Sequence, residues 1–175
     1  ALCGIDAQGV VHRYDESTGH WVSIGGPSNG KAKEIFGGPD QLLATAALGP
    51  ADLFRWDAST STWVRIGGPA KKVAVGKSSD IEFKLQVYGQ SPDDAPATTK
   101  GIYQWRGAWY KEGGPAKDIF VSQSQLFATN PVSGDLMMKS PTGWKRIGGP
   151  GQQFVTDHRG HVYVLSPGGA AVYRW

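Results

Sequence analysis

Four short segments of this 175-residue chain end on an aromatic ring preceded by a hydrogen-bond donor: Arg13-Tyr14, Arg55-Trp56, Gln104-Trp105 and Arg174-Trp175. An aromatic face stacks on the C–H groups of a sugar ring, and guanidinium or amide N–H groups hold its hydroxyls. These eight residues are the candidate ligand-binding set. The competing use is structural: the rings fill space between elements and the arginine stems cover them. A fifth segment, Met138-Lys139, stands in the same column without a stacking face. Its repeat is expected to take no ligand where its siblings do.

Other chemistry is thinly supplied. Asp157-His158-Arg159-Gly160-His161 places two imidazoles three apart beside a carboxylate, but a metal site needs a further convergent ligand, and the segment reads as a polar turn. Asp93-Asp94 lacks the spaced oxygen ligands of a calcium loop. Cys3 is the lone cysteine and excludes an internal disulfide; as a nucleophile it would need a histidine-oriented thiolate near the chain start, and an inert packing role is expected. No Gly-x-Ser-x-Gly, His-Glu-x-x-His or phosphate-cradling glycine loop occurs. The expectation is a protein that is not an enzyme, with no metal and no cofactor.

The elements that must position the candidate residues repeat. Trp21-Val22-Ser23-Ile24-Gly25-Gly26-Pro27 recurs as Trp63-Val64-Arg65-Ile66-Gly67-Gly68-Pro69, as Trp109-Tyr110-Lys111-Glu112-Gly113-Gly114-Pro115 and as Trp144-Lys145-Arg146-Ile147-Gly148-Gly149-Pro150. The starts are 42, 46 and 35 residues apart, a period that belongs to solenoids, arrays or propellers. Each copy reads as a strand with a tryptophan anchor, closed by glycines that allow a sharp turn and a proline that ends strand pairing. The four anchors are expected in the core.

Between the anchors the segments superpose. Strand a is 34–36, 72–75, 118–121 and 153–155. Strand b is 41–45, 84–88, 125–129 and 161–165. Strand c is 53–56, 102–105, 136–139 and 172–175, and strand d carries the anchor. The lead-in 2–5, 11–14 and Trp21 onward fits b-c-d, so the chain reads b-c-d, three units of a-b-c-d, then a-b-c. That makes eighteen strands and no helix. Strands a and b are apolar at successive positions, as strands covered on both faces are. A propeller, whose blades are each sandwiched between two others, explains this better than a two-sheet sandwich. The expected fold is an all-β propeller of four-stranded blades, one domain over 1–175 with repeats at 1–27, 28–69, 70–115, 116–150 and 151–175, the first and last partial. Five blades are expected. Four, with Trp21–Ile24 closing the last unit, or a piece of a larger propeller, are the alternatives. Residues 91–100 form an inserted loop marked by Pro92 and Pro96.

Composition limits the partners. Eighteen Lys and Arg stand against fifteen Asp and Glu, a net charge of +3, too slight and scattered to argue for nucleic acid. No apolar run approaches the ~18–20 residues of a membrane helix. The start at Ala1, without an initiator methionine or signal segment, suggests a processed chain or an excised domain.

The run Trp-x-x-Ile-Gly-Gly-Pro, then an Ile/Phe-Val strand, then Leu-Phe-Ala-Thr or Val-Tyr-Val-Leu, then Tyr-Arg-Trp, resembles the tectonin-type β-propeller repeat over nearly the whole chain. Glu112 in place of Ile, and Met137-Met138-Lys139 in place of the aromatic-Arg/Gln-Trp segment, depart from it. The resemblance implies a secreted carbohydrate-binding, lectin-like protein whose partners are cell-surface or microbial glycans. A protein-interaction module or inhibitor that meets a partner protein through its loop face is the alternative. A hydrolase would need carboxylates from several repeats at a common axis, and the strand-a sequences do not supply them.

Overall fold

The computed structural model describes residues 2–37, 42–77, 85–157 and 159–175. The expected strand starts at Gln41 and Lys84, and His158, lie outside the described residues. Eighteen strands are present among the described residues, in five antiparallel sheets of three or four strands. The first sheet is β1 (Cys3–Ile5), β2 (Val11–Asp15) and β3 (His20–Gly25). The second is β4 (Ala32–Gly37), β5 (Leu42–Ala46), β6 (Leu53–Asp57) and β7 (Thr62–Gly67). The third is β8 (Lys72–Lys77), β9 (Leu85–Gln90), β10 (Ile102–Trp105) and β11 (Trp109–Gly113). The fourth is β12 (Asp118–Ser122), β13 (Gln125–Thr129), β14 (Asp135–Ser140) and β15 (Gly143–Pro150), and the fifth is β16 (Gln153–Thr156), β17 (Val162–Leu165) and β18 (Val172–Arg174). Within each sheet the strands lie side by side in chain order. β3 pairs with β2, so the Trp21 strand belongs to the first sheet.

The chain divides into two compact units, Ala1–Lys71 with the first two sheets and Lys72–Trp175 with the other three. In the first unit Val11, Ala32 and Ala44 are buried, with Ile5, Ile24, Ile35, Leu42 and Trp63 packed against them. In the second unit Ile102 and Tyr88 of the third sheet meet Ile119, Leu126 and Ala128 of the fourth. On the fourth sheet's other side, Phe127 and Leu136 meet Val162 and Phe154 of the fifth.

β13 shows why strand b reads as continuously apolar. Leu126 and Ala128 fill one gap between sheets, Phe127 fills the other, and Leu126 through Thr129 are all buried. Burying each large apolar side chain there contributes about 1.5–3 kcal/mol. The rings of Phe120, Phe127 and Phe154 stack with centroids 5.2 and 5.7 Å apart.

Local sequence closes the turns. Asp15 Oδ1 accepts the Ser17 amide and hydroxyl at 2.9 and 2.7 Å, and Asp57 Oδ1 accepts those of Ser59 at 2.9 and 2.6 Å. The repeated Asp-x-Ser-Thr is therefore an Asx turn that folds strand c straight back into strand d. No helix was expected, and one four-residue helical turn, Pro27–Gly30, is present. Ser28 (φ 43°) and Asn29 (φ 63°) inside it are left-handed. It arises because the first linker holds extra residues, Ser28 to Lys31, between its proline and the buried alanine that follows. Ala32, Ala70 and Ala116 hold that alanine position at 4, 7 and 7% exposure.

Candidate functional site

The strand-c aromatic and the strand-d anchor form one structural pair. Register sets Tyr14 opposite Trp21, Trp56 opposite Trp63, and Trp105 opposite Trp109. Their ring centroids are 5.5, 5.4 and 5.5 Å apart at interplanar angles of 64, 61 and 60°. These are edge-to-face contacts, the arrangement that sets the positive edge of one ring against the negative face of the next. In the fourth sheet Lys139 takes the aromatic's place opposite Trp144, and its Nζ lies 5.9 Å from the ring centroid. In the fifth sheet Trp175 meets Phe127 edge-on at 6.1 Å.

The anchors sit nearer the surface than their sequence suggests. Trp63, Trp109 and Trp144 are half-buried and Trp21 is 50% exposed. Two anchors are covered by the sheet before them. Trp63 Nε1 donates to the Ile24 carbonyl across the gap between first and second sheets at 3.2 Å, and Trp144 Nε1 donates to the Glu112 carbonyl across the gap between third and fourth at 3.1 Å. The Trp144 ring also explains the first glycine of the third motif: a Cβ on Gly113 would lie 2.5 Å from Trp144 Nε1. Trp21 has no such cover among the described residues of its unit.

Strand geometry separates the donors from the rings that follow them. Successive strand residues face opposite sides, so Arg13 and Tyr14 do not share a face of their sheet, nor do Arg55 and Trp56, or Gln104 and Trp105. Where both sheets lie in one unit, the donor instead faces the next sheet's strand-c ring or the lysine in its place. In the first unit Val11 and Arg13 share the face turned to the second sheet, and Trp56 and Trp63 share the face turned to the first. In the second unit Ile102 and Gln104 face the sheet that presents Lys139 and Trp144. Met138 faces the gap that Trp175 enters against Phe127. Within a unit, a candidate donor and the next sheet's strand-c residue are thus set on facing sides of one gap.

The gap between the third and fourth sheets is closed by its own charges. The Glu112 carboxylate accepts Arg106 Nη2 at 2.8 Å and lies 3.2 Å from Lys139 Nζ. Lys139 Nζ also donates to the Glu112 carbonyl at 2.9 Å, and Arg106 Nε donates to Gln104 Oε1 at 2.6 Å. Gln104 is buried and the Glu112 side chain is 15% exposed. Burial, and after it the Glu112 charge, push the nearby Tyr88 hydroxyl up to about 12. The two departures from the repeat, Glu112 and Lys139, are therefore partners in one ion-pair network. Both departures are visible in the sequence; their pairing is not, and its one signal is their joint appearance in adjacent repeats.

Six of the seven arginines lie on strands c or d or just past strand c, and Arg159, in a turn, has no ion-pair partner among the described residues. Arg65 is held by Asp52 at 2.6 Å, Arg146 by Asp135 at 2.9 Å and Arg106 by Glu112. Arg13, Arg55 and Arg174, the strand-c arginines, have no ion-pair partner among the described residues. A cavity of about 120 Å³ in the second unit is lined by Ile102, Pro115, Ala128, Asn130, Met137 and Trp144, among others.

The other sequence candidates have structural roles. Asp157 Oδ1 accepts the amides of Arg159 and His161 at 2.9 Å each, and Oδ2 pairs with His161 Nδ1 at 2.8 Å. Those bonds, the His161 ring foremost, hold the Asp157 carboxyl well below its usual range. Asp6 does the same with the amides of Gln8 and Val10 and with His12 Nε2. Both are stapled hairpin turns. No group of three or more metal-ligating side chains occurs among the described residues. Among them, too, no helix is long and apolar enough to cross a membrane. Cys3 is half-buried on β1, opposite Arg13. No protein-family model matches the chain, and no curated protein matches it.

Proposed function

We propose that this chain is a secreted, tectonin-type lectin, a β-propeller whose blades are the five sheets, with shallow glycan sites that repeat with them. One observation carries the reading: an edge-to-face aromatic pair recurs at the same c–d register in three sheets, with Tyr14, Trp56 and Trp105 each half-buried. A ring held by a neighbour on its edge and half open on its face is a rigid platform that costs little to order on binding. Repetition turns weak single sites into useful avidity. The fourth sheet, with Lys139 bonded to Glu112, is the silent member. Calorimetric titration with a glycan selected on an array is expected to give fewer sites than sheets, with one lost in Trp56→Ala. Equal site numbers in both proteins, or no binding across a broad array, would overturn it.

A protein partner is the second reading, favoured by the order of the inserted loop. Tyr103 Oη donates to the Thr99 carbonyl at 2.6 Å and Lys111 Nζ to that of Thr98 at 3.2 Å, so the loop stands as a braced projection with Asp93 and Asp94 exposed. Capture of a protein by the wild type and not by a chain lacking residues 92–99 would favour it.

A further inference from the structure

The gap between third and fourth sheets and the gap between first and second are built from matching positions. By register and repeat, Gln104 corresponds to Arg13, Glu112 to Ile24, Lys139 to Trp56 and Trp144 to Trp63. Both anchors donate to the carbonyl of the matching residue, Trp63 to Ile24 and Trp144 to Glu112. In the later gap the four positions demonstrably converge, since Arg106 links Gln104 to Glu112 and Glu112 meets Lys139. There the protein supplies its own carboxylate and cations to satisfy it.

In the earlier gap the carboxylate at the Glu112 position is missing; Asp15, at the Arg106 position, turns its Oδ1 onto the Ser17 amide and hydroxyl, and Arg13 is left without an ion-pair partner among the described residues. Ile24 replaces Glu112, Trp56 replaces Lys139, and Arg13 stands exposed on the face turned to Trp56. Resting on the carbohydrate-binding reading, we infer that the gap between the first two sheets binds a carboxylate-bearing sugar, its ring against Trp56 and its carboxylate on the Arg13 guanidinium. In the later gap the Glu112 carboxylate is the built-in counterpart of that ligand group. A guanidinium offers two parallel N–H donors to a carboxylate, which a neutral hydroxyl cannot accept with equal strength. The site is thus selective for acidic over neutral glycans, and its affinity falls as salt rises.

The test uses the chain as it stands and three probes, oligosaccharides of galacturonate, glucuronate and sialic acid, each with its methyl ester. Calorimetry should show at least one acid binding at least tenfold tighter than its ester, the ratio a charge-assisted hydrogen bond supplies. Arg13→Gln, an exposed position, should abolish that ratio, while Arg159→Gln, in an exposed turn, should leave it intact. Equal affinity for acid and ester, or an acid preference unchanged by Arg13→Gln, would overturn the inference and leave neutral-sugar binding standing. Failure of every acid while neutral glycans bind overturns it as well. Failure of all glycans on a broad array overturns the carbohydrate reading itself.

Discussion

At the scale of single residues, the repeated tryptophans do not share one fate. Trp63 bonds to the Ile24 carbonyl and packs against the cluster around Val11 and Ala44, whereas half of Trp21 is in solvent. Removing a large ring costs the transfer free energy of its buried surface and leaves a cavity where neighbours cannot collapse. Trp63→Ala should therefore destabilise by about 3 kcal/mol. Trp21→Ala should cost less than about 1 kcal/mol, because its ring is already wet and loses mainly the edge contact to Tyr14. Urea unfolding of the two variants measures the difference, and equal costs would mean that the anchors are equivalent after all. The tryptophan at the head of each motif was plain from residue type and spacing. Its burial was not, because burial depends on which sheet lies across the ring.

At the scale of elements, the decisive geometry is the alternation of strand faces. Arg55 next to Trp56 in sequence looks like a donor beside a platform, but the pleat sends the two to opposite faces of their sheet. The third and fourth sheets show what such a gap does when it is filled from within. Replacing Glu112 by Ile leaves Lys139 and Arg106 without their carboxylate, at a cost of about 2 kcal/mol. Adding Lys139→Trp to it recreates the pairing of the second sheet and should recover most of that loss. A double-mutant cycle in urea should give a coupling of about 1–3 kcal/mol. Strictly additive effects would mean that the two departures are independent. Strand positions and turn chemistry were legible in the sequence because period and Asx residues are local signals. The Glu112–Lys139 pair was not, because it joins two columns of the repeat alignment, 27 residues apart.

At the scale of the whole molecule, stability should have an alkaline limit set in the second unit. Tyr88 is 6% exposed, and burial with the neighbouring Glu112 charge raises its hydroxyl from its ordinary value of 10.0 to about 12. A raised value means that the folded state holds its proton longer than the unfolded chain does. The stability it contributes is complete below pH 10 and drains away as pH rises toward 12. Tyr88→Phe should flatten the stability profile of the second unit across that window, followed by urea unfolding at successive pH values. An unchanged slope would remove Tyr88 as the cause. The acid side has the opposite sign. The bonds to Asp157 favour its ionised form, so their contribution stands above the ordinary carboxylate range and is lost only as pH falls well below it.

The sequence by itself determined the all-β class, the strands in their order, the turns between them and the c–d pairing. Each of these follows from short-range signals: short continuous apolar runs, glycine- and proline-marked turns, and a motif that returns every 35 to 46 residues. Only the tertiary structure decided which residues share a gap. It turned the Val11 face of the first sheet to the Trp63 face of the second, closed Glu112 onto Lys139, and left Trp21 half exposed. Those outcomes depend on which face of one sheet meets which face of the next. A strand's sequence specifies its two faces, while the neighbour that covers each face is a long-range fact of the fold.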